Sequence, residues 1–311
     1  MSVVTAGLNG PNGLKFGVPS IFVAEQGANR IAAVDPYTGA TSASVTGLVG
    51  PSAVTKVGTE LVITTAGAET PDSSIVGDAS VLVAQPGGAP TVLADLEAYE
   101  LANNPDGQLQ FDPDTGAPLD ALSNPFAIVE RRDSGFVLVA DAGANAVLAV
   151  SRSGQVSTYF VPPLITTGSC AGASNNDPEH VGCDSVPTGL AYGLKHKLYV
   201  STLGSLAPGA GRVYVLDDRN GRVVDVRGLN GPTGVQVAAD GTVYVTEVLS
   251  GGGAGPPGRI VRIAPNGTRS SVRIPFPTGI DIKGGVLYVS ALSLAGPGAG
   301  QILAVRPTAF S

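Results

Sequence analysis

Three carboxylates stand at matching positions of an internally repeated sequence. Glu25, Asp141 and Glu247 each close a run of small or apolar residues, in Phe22-Val23-Ala24-Glu25, Leu138-Val139-Ala140-Asp141 and Tyr244-Val245-Thr246-Glu247. The intervening copies carry Thr65, Thr202 and Ala291 at that place, so acids and small residues alternate with a three-fold look. If the acids turn toward one axis, they gather up to three negative charges at one opening. Such a cluster either holds a hard cation such as Ca²⁺ through oxygen ligands or raises one member's pKa for proton transfer. Asn9 and Asn230, two residues before Pro11 and Pro232, would add carbonyl oxygens to the metal set. The competing reading is structural: the acids cap loop N–H groups, or pair with Arg30, Arg212 and Arg259 at the heads of the following strands.

Two histidines exist. His196, in Leu194-Lys195-His196-Lys197, belongs to a short turn and reads as solvated, whereas His180, in Asp177-Pro178-Glu179-His180, belongs to a long loop and is the candidate general base. Its alternative is a plain exposed loop histidine. No Gly-x-Ser-x-Gly, His-Glu-x-x-His or phosphate loop occurs. Gly251-Gly252-Gly253-Ala254-Gly255 and Pro297-Gly298-Ala299-Gly300 precede no helical pattern and read as rim loops.

The elements that must position these residues come from six copies of one pattern. Each opens near a proline: Pro11-Asn12-Gly13, Pro51-Ser52-Ala53, Pro125-Phe126-Ala127, Pro187-Thr188-Gly189, Pro232-Thr233-Gly234 and Pro277-Thr278-Gly279. Alternating apolar residues follow, then a Gly-containing turn and a Val/Tyr-rich strand. In the fifth copy, strands read over Thr233-Gly234-Val235-Gln236-Val237, Thr242-Val243-Tyr244-Val245-Thr246 and Arg259-Ile260-Val261-Arg262-Ile263, with an outer strand near Ser271-Val272-Arg273-Ile274. A period of about 40 to 50 residues built from strands predicts propeller blades. The expectation is one all-β domain over 1–311, a six-bladed β-propeller of four-stranded antiparallel blades. The blades read as 8–47, 48–96, 124–160, 186–228, 229–273 and 274–311, with insertions at 97–123 and 161–185. The last copy lacks an outer strand, and residues 2–7 have no other partner, so the N-terminal strand should complete it and close the ring.

Connections of unequal length divide the ring into two faces. Short turns such as 58–59, 133–135, 219–221, 240–241 and 284–285 lie on one, and long loops at 66–79, 97–123, 162–185, 203–211, 248–258 and 292–300 on the other. Long loops on a rigid scaffold are where binding concentrates, which makes that face the expected site.

Composition bounds the function. Gly (43) and Pro (24) are abundant and charged residues are only 14%, as suits short strands and tight turns. A net charge of −7 without a Lys/Arg run argues against nucleic acid as a partner, and no apolar stretch is long enough for a membrane span. Cys170 and Cys183, with no Cys/His set around them, read as a disulfide closing a surface loop in an oxidising compartment. The start Met1-Ser2-Val3-Val4 carries no leader pattern. The expectation is an extracytoplasmic protein, secreted or periplasmic, whose signal peptide is absent from this sequence; the alternative is a cytosolic chain with free thiols.

The copies look like NHL-type repeats. Phe136-Val137-Leu138-Val139-Ala140-Asp141-Ala142-Gly143-Ala144-Asn145, Val186-Pro187-Thr188-Gly189-Leu190, Pro208-Gly209-Ala210-Gly211-Arg212-Val213-Tyr214-Val215 and Leu287-Tyr288-Val289-Ser290 resemble the bacterial ScyD/ScyE family of propeller proteins. That resemblance implies the propeller fold and export, and assigns no reaction. Related six-bladed propellers include the gluconolactonase/regucalcin type, with a divalent metal in the central channel, and strictosidine synthase-like enzymes, with a catalytic Glu at its mouth. Two functions follow as expectations. The first is an exported protein that binds a small molecule, peptide or protein partner on the loop-rich face. The alternative is an enzyme of that face, a Ca²⁺-assisted hydrolase or lactonase or a strictosidine synthase-like enzyme. In it, Glu25, Asp141 or Glu247 handles the proton. Oligomeric state stays open.

Overall fold

The computed structural model describes residues 1–69, 75–119, 121–133, 135–217, 222–250 and 257–310. After β1 (Ser2–Leu8), blade one is built from β2 (Pro11–Phe16), β3 (Ile21–Glu25), β4 (Arg30–Val34) and β5 (Thr41–Val45). Blade two comprises β6 (Pro51–Val57), β7 (Glu60–Glu69), β8 (Ile75–Ala84) and β9 (Thr91–Asp95), followed by the single α-helix among the described residues, α1 (Leu96–Asn103). Blade three holds β10 (Pro125–Glu130), β11 (Val137–Asp141), β12 (Ala146–Val150) and β13 (Val156–Phe160). Blade four holds β14 (Pro187–Tyr192), β15 (Leu198–Thr202), β16 (Gly211–Asp217) and β17 (Arg222–Leu229). Blade five holds β18 (Pro232–Val237), β19 (Val243–Glu247), β20 (Arg259–Ile263) and β21 (Arg269–Arg273). Blade six has β22 (Ile280–Lys283), β23 (Val286–Ala291) and β24 (Gly300–Val305).

Each blade is an antiparallel four-stranded sheet in chain order, except that blade six takes β1 as its fourth strand. The expected ring closure is therefore present, with Ser2 opposite Ala304 and Leu8 opposite Gly300. Six sheets of four strands make a six-bladed β-propeller. Apolar residues of facing blades interlock, as Ile31, Leu61 and Ile63 do between blades one and two.

The proline-led repeat has a steric reason. Its third position is where neighbouring inner strands touch. A Cβ on Gly279 would sit 2.4 Å from the Asn12 carbonyl oxygen and 2.9 Å from Gly13 Cα, and one on Gly189 would sit 2.8 Å from Gly234 Cα. Gly or Ala stands at this place in all six copies, and the glycines leave no room for a Cβ, which lets the inner strands draw together around the axis. The middle residue stitches blade to blade. Thr188 Oγ1 donates to the Pro232 carbonyl at 2.7 Å, Thr233 Oγ1 to Pro277 at 2.9 Å, and Thr278 Oγ1 to Pro11 at 3.1 Å. Ser52 Oγ makes the equivalent bond to Pro125. Asn12 and Phe126 interrupt the belt.

Two loop expectations need correction. Within 66–79, residues 66–69 and 75–79 are strand, because β7 and β8 pair as far as Glu69 opposite Ile75. The insertion at 97–123 opens with α1, whose N-terminus is capped by Asp95 accepting the Ala98 N–H at 2.9 Å. The Gly251-to-Gly255 run, the turn at 219–221 and Ser134 lie outside the described residues.

Candidate functional site

Glu25, Asp141 and Glu247 end the second strand of blades one, three and five, and all three side chains are fully buried. They do not converge on the axis. Glu25 Oε1 accepts the Asn9 N–H at 2.8 Å, and Oε2 accepts Arg30 Nε at 2.6 Å. Glu247 repeats the arrangement with the Asn230 N–H at 2.8 Å and Arg259 Nε at 2.5 Å. Asp141, one methylene shorter, accepts Asn124 N–H at 2.6 Å, Gly143 and Ala144 N–H at 3.2 Å each, and the Ser123 hydroxyl at 2.5 Å. Burial pushes the Asp141 carboxyl up from its ordinary value, opposed by those four hydrogen bonds. Each acid thus pins the strand entering its own blade to the turn leaving its second strand.

The amide oxygens expected as metal ligands are likewise engaged. Asn9 Oδ1 accepts the Gly298 N–H at 2.6 Å, and Asn230 Oδ1 accepts the Gly209 N–H at 2.8 Å, so both staple the loop of the preceding blade. Among the described residues, no three His, Cys, Asp or Glu side chains converge to hold a metal.

The channel inside the inner strands is narrow. Its cavity of about 60 Å³ is lined by the repeat positions, including Asn12, Gly13, Thr188, Gly234 and Gly279. That is room for a few waters, against about 300 Å³ or more for a small-molecule site. A wider hollow lies on each face of the ring. On the loop-rich face, about 430 Å³ is bounded by Asn9, Gln26, Gly50, Ser293, Leu294 and Pro297. The short-turn face holds about 560 Å³ among Lys15, Lys56, Arg131, Arg132, His196 and Asp281.

Sequence reading missed the charge on that second face, because the lysines never cluster along the chain. Lys15, Lys56, Lys195, Lys197 and Lys283 are all of the lysines, and each lies in, or at the strand end leading into, the turn that joins the first and second strands of a blade. Folding collects them on one rim. Lys15 pairs with Asp281 at 3.2 Å, Lys197 with Asp217 at 3.3 Å, and Arg132 lies over the Tyr192 ring at 5.3 Å. His196 belongs to this face, as its short turn predicts.

His180 lies on the loop-rich side, 41% exposed, with Nδ1 2.8 Å from Asp177 Oδ2. Asp177 is itself held by the N–H groups of Leu109 and Glu179. The result is a carboxylate-oriented imidazole, apart from Glu25 and Glu247. Cys170 and Cys183 form the expected disulfide, with Cα atoms 5.3 Å apart, and pack with Ile165 and Ala210. No helix among the described residues is long and apolar enough to cross a membrane.

No protein-family model matches the chain, and no curated protein matches it. Solved structures do. A virginiamycin B lyase from Staphylococcus aureus is similar over 98% of both chains, with a TM-score of 0.54 and 13% identity. A gluconolactonase from Xanthomonas campestris aligns over 97% of this chain and 89% of its own, with a TM-score of 0.61 and 10% identity. An aldose sugar dehydrogenase from Streptomyces coelicolor, solved in its PQQ-bound form, covers 98% and 96%, with a TM-score of 0.61 and 14% identity. At such identities the likeness is one of fold alone, and it assigns this chain no activity.

Proposed function

We propose that this chain is a non-catalytic binding propeller acting outside the cytoplasm, which holds a peptide or protein partner against its loop-rich face. The fate of the three carboxylates carries the reading. Each is fully buried and committed to backbone N–H groups or an arginine, leaving none free to move a proton or hold a metal at the channel mouth. The long loops instead offer apolar contact. Val49, Leu206, Leu249 and Leu294 are 37 to 65% exposed. Leu206 and Leu249 meet around Gly231, where an added Cβ would touch both within 3.6 Å. Leu294 borders the 430 Å³ hollow beside the amide side chains of Asn9 and Gln26. Exposed aliphatics next to amide groups suit a peptide, which brings apolar side chains and backbone hydrogen-bonding groups together. The disulfide and the resemblance to ScyD/ScyE propellers support export.

One experiment separates binding from catalysis. The protein is assayed against a panel of lactones and esters with and without Ca²⁺, and in parallel against fractionated culture filtrate, using wild type and a Leu206→Glu, Leu249→Glu, Leu294→Glu variant. The binding reading expects no turnover and a saturable partner that the variant loses. Turnover abolished by Glu25→Gln in a folded protein would overturn it.

A second reading, hydrolysis of a lactone or ester, has one observation in its favour: His180, solvent-accessible and oriented by Asp177, has the arrangement of a general base. The fold likeness to gluconolactonases is compatible with it. In that case His180→Gln would remove the activity and Glu25→Gln would not.

A further inference from the structure

The insertions 97–123 and 161–185 close over blade three and enclose a cavity of about 30 Å³. Glu100, Asp106, Asp177 and Asp184 all line it, together with Gln108 and Asn145, and no lysine or arginine does so among the described residues. Four carboxylates around a space the size of one water are an expensive arrangement unless something positive sits among them. The hydrogen-bond donors present are neutral apart from the rim imidazole of His180. Asp106 accepts Gln108 N–H and Asn145 Nδ2, each at 3.0 Å. Asp184 accepts Gln108 Nε2 at 2.7 Å and Asn175 Nδ2 at 3.0 Å. Asp177 is satisfied by Leu109, Glu179 and His180.

Two lining oxygens remain without any partner: Glu100 Oε2 and Asn145 Oδ1. Both residues are more than nine-tenths buried, at 4% and 7% exposure. The bond from Asn145 Nδ2 to the Asp106 carboxylate fixes which amide atom is oxygen. The repeat itself supplies a control. Asn29 occupies the same place in Glu25-Gln26-Gly27-Ala28-Asn29 as Asn145 in Asp141-Ala142-Gly143-Ala144-Asn145, and both take the left-handed conformation, at φ 52° and 45°. Asn29 Oδ1 accepts the Gly50 N–H of the next blade at 3.1 Å. In blade three the insertion replaces that staple, and the equivalent oxygen is left bare at the acidic cavity. A third unpartnered oxygen, Asn104 Oδ1, follows directly on α1. Burial, reinforced by the charges of Asp106 and Asp141 and opposed by the Gln110 bond, pushes the Glu100 carboxyl up to about 7.

We infer that this cavity is a Ca²⁺ site in which the carboxylates of Glu100 and Asp106 and the side-chain oxygen of Asn145 hold the ion and clamp the first insertion to blade three. A mixed set of carboxylate and amide oxygens suits Ca²⁺, which takes oxygen ligands in flexible geometry and needs no trio of acids. The volume excludes an organic ligand. The inference is independent of the proposed partner on the loops.

The test measures bound metal and thermal unfolding of the whole chain after chelation, with CaCl₂ or MgCl₂ added back, in wild type, Glu100→Gln and Asn145→Ala. The expected result is one Ca²⁺ per chain and a Tm raised by about 5 °C at saturating Ca²⁺, reversed by chelator, with both effects lost in Glu100→Gln and weakened in Asn145→Ala. In chelator the order reverses, and Glu100→Gln is the more stable protein because it no longer buries an uncompensated charge. This inversion also shows that the variant folds. Absence of stoichiometric Ca²⁺ in wild type would overturn the inference, since a proton on Glu100 would then be the sole compensation. So would undiminished Ca²⁺ binding by Glu100→Gln.

Discussion

Thr278 Oγ1 donates to the Pro11 carbonyl at 3.1 Å across 267 residues of sequence, joining the inner strand of the last blade to that of the first. The same bond, one blade earlier, runs from Thr233 to Pro277. Ring closure therefore happens twice, at the axis through this hydroxyl and at the rim through β1 on β24.

Replacing Thr278 by Val keeps the shape and removes the inner bond, together with the 2.8 Å contact to Ser293 Oγ. The expected loss is about 1–2 kcal/mol, because the Pro11 carbonyl is left buried without its donor. Urea unfolding midpoints of Thr278→Val and wild type decide it.

Removing residues 1–8 opens the outer closure. β24 then becomes a free edge beside a half-finished blade, so the shortened chain should unfold at a markedly lower temperature and associate through that edge. Light scattering during a thermal ramp checks this; an unchanged, monodisperse transition would show that the inner belt suffices.

Glu25→Ala should cost about 3 kcal/mol, the low end for breaking a buried ion pair, since Arg30 is only partly solvated and the Asn9 N–H loses its acceptor. A double-mutant cycle with Arg30→Ala separates the two parts. A cost unaffected by Arg30→Ala assigns the role to the backbone cap.

Gly279→Ala tests the close approach of inner strands. Its new Cβ would stand 2.4 Å from the Asn12 oxygen, so the ring must expand locally, at about 2 kcal/mol or more. Gly47→Ala, at φ +75° with open space around it, is the control and should cost about 1 kcal/mol from backbone strain alone.

Cys170→Ser with Cys183→Ser should act locally. The bridge closes a loop of sequence separation 13, worth about 3 kcal/mol in the chain-entropy picture. Limited proteolysis should cut the variant first within 161–185 while the blades stay protected.

Periodicity made the fold legible. A proline and, two residues on, a Gly or Ala repeat in all six copies, with a hydroxyl between them in four, because neighbouring inner strands approach closely at that point, and the missing outer strand of the last copy announced the role of β1. The carboxylates were legible as a pattern but not as a role. Their partners, the N–H groups of Asn9, Asn124 and Asn230, lie 16 or 17 residues upstream and become neighbours only when inner and second strands pair. Glu100 and Asp106 were invisible as partners of Asn145, since they belong to an insertion outside the repeat. The strand content of 66–79 was hidden by polar composition that reads as loop.

The lysines offer a practical handle. Because every ε-amine of the chain projects from one rim, amine-reactive coupling to a bead or sensor surface would tether the ring by that side. The molecules would then stand uniformly, with Leu206, Leu249 and Leu294 turned toward the solution, and immobilisation itself would orient the array without an engineered tag.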